Sequence, residues 1–139
     1  MGLPINSTPL LSISVAQLRE LLNNSGFRAK LIDSSRIESA SDGMVWVVEF
    51  NPAGQATTLR FVAELLVAEQ PTQDVNHFNQ RNHVVTATCK QQCDDQSVWK
   101  IEVSMVRSLS GGVTYQDIES WIENWISALD PAVEFFFGL

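Results

Sequence analysis

Three features of this sequence predict an α+β fold of two layers, an antiparallel sheet with helices packed on one of its faces. Strict two-residue alternation recurs through the middle of the chain, short Gly-, Pro- and Asn-containing connections separate those stretches, and an apolar stripe of helical period follows near the end. The stripe is Ile118, Trp121, Ile122, Trp125, Ile126 and Leu129, at i, i+3, i+4, i+7, i+8 and i+11. Two tryptophans on one surface helix demand apolar cover, and the upstream strands are the natural supplier.

Taken in order, residues 1–13 have the composition of an extended arm, rich in Pro, Ser, Thr and Asn and without apolar period. Residues 14–139 form a single domain of the commonest size. Ser14 and Gln17 have the S-x-x-Q spacing of a capping box, and Val15, Leu18, Leu21 and Leu22 then make a helical stripe. Asn23-Asn24-Ser25-Gly26 ends that helix, with Gly26 suited to a left-handed cap. A first strand is expected over 27–33, with Phe27, Ala29 and Leu31 turned inward. Residues 34–42 are polar and read as a loop, with at most a strand fragment at 36–40.

The stretch 44–50 is apolar on both faces, as a central strand should be. Asn51-Pro52-Ala53-Gly54 is a turn, because proline fixes φ and glycine permits positive φ. Residues 57–67 alternate as a strand with Leu59, Phe61, Ala63 and Leu65 inward, although Leu65-Leu66-Val67 leaves a helix over 60–69 as a competitor. Thr72 or Gln73 then opens a short helix over 74–81, with Val75 and Phe78 toward the core. Strands are expected over 84–90 and 97–107, joined as a hairpin, and Trp99, Ile101, Val103 and Met105 point inward. After Gly111-Gly112 the last helix starts at Thr114, with Asp117 completing a short capping box. It is expected to run to Leu129 and to restart or kink at Asp130-Pro131. The order is α-β-β-β-α-β-β-α.

Composition excludes several jobs. A net charge of −7 repels phosphate backbones and anionic lipid, so neither nucleic acid nor a membrane is expected as partner. No apolar run approaches the roughly 20 residues that span a bilayer. The first fourteen residues lack the basic and apolar regions of a secretory signal, which points to the cytoplasm and to reduced Cys89 and Cys93. His77, His83, Cys89 and Cys93 do not have the spacing of a zinc site, and Asp94 and Asp95 would oppose a reactive Cys93 thiolate. Carboxylate pairs such as Glu119/Glu123 are read as solvated charge, and Gly111-Gly112 lacks the lysine of a phosphate loop. No catalytic, cofactor or metal site is expected.

Residues 74–125 resemble the YbjN domain family. The likeness rests on V-N-H-F-N-Q-R-N, with Asn76 and Asn79, on the hairpin V-V-T-A-T-C-K and V-W-K-I-E-V-S-M-V, and on G-G-V-T opening a helix with paired aromatic positions. The preceding helix and strands extend it over about residues 12–135. The resemblance implies a fold like that of type III secretion chaperones, which are cytoplasmic dimers that hold other polypeptides. It also implies the role of a bacterial sensory transduction regulator, with no catalytic residues attached.

Two kinds of job follow. The first is a non-enzymatic protein-binding module, homodimeric and acting as a chaperone-like adaptor or regulator, with another polypeptide as partner. Its candidate interface residues are Asn76 and Asn79, which share a helix face, and Trp121, Trp125, Phe135 and Phe136, drawn from a supply of aromatics that exceeds one sheet–helix layer. The asparagines can instead bond a neighbouring loop or cap their helix, and the tryptophans can instead be core. The second job is a small-ligand-binding protein or enzyme with a pocket between sheet and helices.

Overall fold

A computed structural model describes residues 9–41, 43–68, 71–92 and 98–138. In chain order the elements are β1 (Ile13–Ser14), α1 (Val15–Asn24), β2 (Lys30–Asp33), β3 (Arg36–Ser41), β4 (Met44–Asn51), β5 (Gln55–Ala56), β6 (Thr58–Val67), α2 (Thr72–Arg81), β7 (Thr86–Gln92), β8 (Trp99–Ser108) and α3 (Tyr115–Phe137). Six strands make one fully antiparallel sheet in the order β2-β3-β4-β6-β8-β7, and β1 pairs with β5 as a small separate ribbon. The α+β antiparallel fold is thus as expected; beyond the five strands of the predicted order, the main sheet has one more and the β1–β5 ribbon adds two.

The additional strand of the main sheet is β3. Arg36–Ser41 is a full member of the sheet, paired with β4 from Arg36↔Glu49 to Ser41↔Met44. Its inward positions are Ile37 and Ser39, both buried. Ser39 escapes detection by hydropathy because it is polar; its hydroxyl is satisfied by donating to the Arg28 carbonyl at 3.0 Å. The expectation for 27–33 also needs correction. Only Lys30–Asp33 is strand, and all four residues are exposed, Leu31 included. β2 is a sheet edge paired with β3 alone, and α1 ends at Asn24, so no element among the described residues covers Leu31. Phe27 reaches the core from the segment before the strand and packs edge-on against Trp46, with centroids 6.0 Å apart.

All three helices lie on one face of the sheet. α1 contributes Val15, Leu18 and Leu22, α2 contributes Val75 and Phe78, and α3 contributes Ile118, Ile122, Trp125, Leu129 and Ala132. They meet Ile37, Trp46, Val48, Phe50, Leu59, Phe61, Leu65, Ile101, Val103 and Met105 from the strands in one continuous core. Trp46, Phe61 and Trp125 form an aromatic triangle at its centre, with centroids 5.9 to 6.4 Å apart. Neither buried indole N–H has a hydrogen-bond acceptor among the described residues.

Both capping boxes form. Ser14 Oγ accepts from the Gln17 amide at 3.1 Å, and Gln17 Oε1 accepts from the Ser14 amide at 2.8 Å. Thr114 Oγ1 and Asp117 Oδ2 do the same for α3, at 3.1 and 2.9 Å. α3 passes through Pro131 without interruption, contrary to the predicted restart. Loss of one backbone donor at Pro131 is outweighed by the stripe that continues beyond it: Leu129, Ala132 and half-buried Phe136 prolong the apolar face to the end of the helix. α2 begins at Thr72 rather than 74, directly after Pro71, with no side-chain cap bond.

Residues 9–13, within the stretch expected to be an extended arm, are tied down, with Ile13 part of the core. Leu10 exchanges two backbone hydrogen bonds with Val113, and Ile13 is fully buried opposite Ala56. Gly112 makes this possible: its φ is +91°, and a Cβ there would stand 3.0 Å from the Pro9 Cβ.

Candidate functional site: an open sheet face and an aromatic helix end

The side of the sheet away from the helices has no covering element among the described residues. Strand register builds it in rows. Arg36, Glu49, Arg60 and Val106 lie across β3, β4, β6 and β8; Glu38, Val47, Val62 and Ser104 form the next row; and Glu64 faces Glu102 in a third. Outward positions alternate with core positions along every strand, so the inward Trp46-Val48-Phe50 set dictates which residues are displayed.

Two like charges directly opposite each other, Glu64 and Glu102, would repel. Cations resolve this. Arg60 bonds both Glu49, at 2.9 Å, and Glu102, while Lys90 lies 3.6 Å from Glu102 and Lys100 lies 3.1 Å from Glu64. Partial burial works to lower the Arg60 pKa, but the hydrogen bonds and charges of Glu49 and Glu102 outweigh it and raise it above its ordinary value. Between these ion pairs the face exposes apolar residues. Val45, Leu66 and Val106 are 52%, 54% and 53% exposed, and Val47 and Val62 lie in a shallow depression walled by Glu38 and Glu64.

At the turn beside the exposed edge strand, Asp33 organises a second polar cluster. Arg36 donates to its Oδ2, and the amide and hydroxyl of Ser35 donate to its Oδ1. These bonds, Arg36's foremost, lower the Asp33 pKa to about 2.

The residues singled out from the sequence fall in three different places. Asn79 is engaged inside the protein: its Nδ2 donates to the Ala87 carbonyl and its Oδ1 accepts from the Ala87 amide, both at 2.8 Å. One side-chain amide thus copies the hydrogen-bond pattern of a neighbouring strand and ties α2 to β7. Asn76, on the same helix, is exposed. Trp125 is fully buried in the aromatic triangle and offers nothing to a second molecule, whereas Trp121 is half-buried. Phe135 and Phe136 close the end of α3 against α2. Phe78 lies 5.5 and 5.1 Å from their rings, and His77 stacks on Phe135 at 6.2 Å. Phe135 and Phe137 remain partly exposed there.

No group of three or more His, Cys, Asp or Glu side chains converges among the described residues. Cys89 is half-buried beside the core, and Cys93 lies outside the described residues. No helix among the described residues is long and apolar enough to cross a membrane. The sheet-face ion network was not anticipated from the sequence, although its signal was there: Glu49, Arg60, Lys100 and Glu102 all occupy outward positions of alternating strands.

Fold and surface define an α+β sandwich with helices on one side of an antiparallel sheet and an uncovered, charge-paired face on the other. The chain belongs to the YbjN family, whose description is "Putative bacterial sensory transduction regulator" and whose family model matches residues 14–137. Among solved structures, it is similar to one described as "Crystal structure of YbjN, a putative transcription regulator from E. coli". The TM-score is 0.63, the identity 18%, and the match covers 84% of each chain. At that identity the likeness is one of fold. No curated protein matches the chain.

Proposed function

We propose that this protein is a non-enzymatic protein-binding module, a homodimeric, chaperone-like adaptor or regulator of the bacterial cytoplasm. Family membership supports a regulatory role. The observation that carries the reading is the sheet face left uncovered among the described residues, where Val45, Leu66 and Val106 are each more than half exposed. Exposed apolar side chains interspersed with paired charges are what non-obligate protein interfaces use.

The occupant of that face is a second copy. Lys30, Arg36, Arg60, Lys90 and Lys100 are matched there by Asp33, Glu38, Glu49, Glu64 and Glu102, so the face is near neutral in a chain of net charge −7. Two such faces approach without the repulsion that other surfaces of this acidic protein would generate. Equilibrium sedimentation at tens of micromolar tests this. The wild type sediments as a dimer, and Leu66→Lys with Val106→Lys gives a folded monomer. A monomeric wild type would overturn the reading.

A further inference from the structure

On the helix side, charge is distributed in the opposite way. α3 carries Asp117, Glu119, Glu123, Asp130 and Glu134 and neither lysine nor arginine. Glu119 and Glu123 sit one turn apart, where like charges repel. They form the rim of a groove of about 370 Å³ between α3 and the end of α1. Its apolar lining is Phe27, Ile122 and Ile126, with Ser25 and Ser127 at the margins. Phe27 and Ile126 are only half-buried, so apolar surface remains available in the groove.

We propose that this groove is a docking site for a basic segment of a partner protein, one bulky apolar side chain flanked by Lys or Arg. The inference rests on the protein-binding reading and names a surface and partner chemistry for it. Charge complementarity selects the occupant. An apolar side chain buries against Phe27 and Ile126, while cations a helical turn apart meet Glu119 and Glu123. A second copy is a poor fit, because α3 would bring its own carboxylates to the rim. A metal ion is a poorer fit, because two carboxylates over an apolar floor supply too few ligands. The excess of negative charge on this side also steers a cationic segment toward it.

The test is a fluorescence-anisotropy titration of the full chain with a labelled peptide of roughly 18 residues, leucine and lysine at helical spacing. Its twin with glutamate for lysine serves as control. Wild type binds the lysine peptide saturably and the glutamate peptide at least tenfold more weakly. Glu119→Lys with Glu123→Lys weakens the lysine peptide at least tenfold. Asp74→Lys with Glu134→Lys, which makes the same change in net charge away from both the groove and the sheet face, changes it less than threefold. Ile126→Gln weakens binding severalfold, with thermal melts confirming that each variant is folded.

Equal losses in the two charge variants would overturn the proposal, since attraction would then be a property of the whole molecule. Absence of saturable binding, or equal binding of the glutamate peptide, would also overturn it. So would a loss of dimer mass caused by Glu119→Lys with Glu123→Lys, which would make the groove an interface between copies. If sedimentation still shows the dimer dependent on Leu66 and Val106, failure of the groove leaves the broader reading standing.

Discussion

Replacing Asn79 by alanine removes a partner from both polar groups of one strand residue. The Ala87 amide and carbonyl each hold a 2.8 Å bond to the Asn79 amide, and Ala87 is 2% exposed, so water has little access to repair the loss. A typical hydrogen bond contributes roughly 0.5–1.5 kcal/mol net, and stranding a buried donor or acceptor costs about 1–3 kcal/mol. β7 is an edge strand paired only with β8, so it can shift to rehydrate one of the two groups. The expected destabilisation of Asn79→Ala is therefore about 2–3 kcal/mol. Asn76→Ala, one turn earlier and exposed, should stay within about 0.5 kcal/mol of wild type. Urea denaturation followed by tryptophan fluorescence supplies both numbers, and an unchanged m-value confirms that stability alone has moved. Amide exchange at Ala87 should accelerate in Asn79→Ala by more than the global change if the strand opens locally. Equal effects of the two substitutions, or a loss below about 0.5 kcal/mol at Asn79, would refute the argument that this side chain acts as a surrogate strand.

Trp125→Ala should cost about 3–5 kcal/mol in chemical denaturation, whereas Trp125→Phe should cost under about 1.5 kcal/mol because the indole N–H it removes has no acceptor. Arg60→Met should destabilise by about 1 kcal/mol at low salt, since it leaves Glu49 and Glu102 without their shared cation. Denaturation repeated at ~0.5 M NaCl should shrink that difference as the remaining repulsion is screened. Gly112→Ala should lower stability by about 1–2 kcal/mol through its positive φ, with further loss from the Pro9 contact, read as a drop in Tm. The Asp33 carboxylate should titrate by NMR near pH 2 rather than at its ordinary 3.8. Its folded-state pKa is depressed, so its stabilisation is complete above the unfolded value and disappears as pH falls through about 2. The stability difference between wild type and Asp33→Asn should accordingly vanish over that acid range.

Local patterns were legible wherever hydrogen bonds or periodicity are local. The two capping boxes depend on residues three apart and appear as expected at Ser14 and Thr114. The apolar alternation of β6 held against the competing helix, because Leu59, Phe61, Ala63 and Leu65 find a common layer to face. β3 was hidden for the converse reason. Its membership depends on pairing with β4, and its inward Ser39 gives no hydropathy signal. Leu31 misled because alternation reveals which residues share a face, not whether anything stands opposite that face.

The candidate surfaces divide along the same line. The class of fold, the long aromatic-bearing last helix, the excess of acid and the family resemblance carried by its motifs were all readable from residue order. Tertiary packing settled the fate of individual side chains. It committed Asn79 to the Ala87 backbone and Trp125 to the core, left Trp121 half-buried, and carried α3 past Pro131. It also assembled Glu49, Arg60, Glu64, Lys90, Lys100 and Glu102 from four strands into one neutral face, while leaving the carboxylates of α3 together on the other side. The physical reason is that burial and charge pairing are properties of neighbours in space, and in an antiparallel sheet those neighbours are set by register across strands distant in sequence.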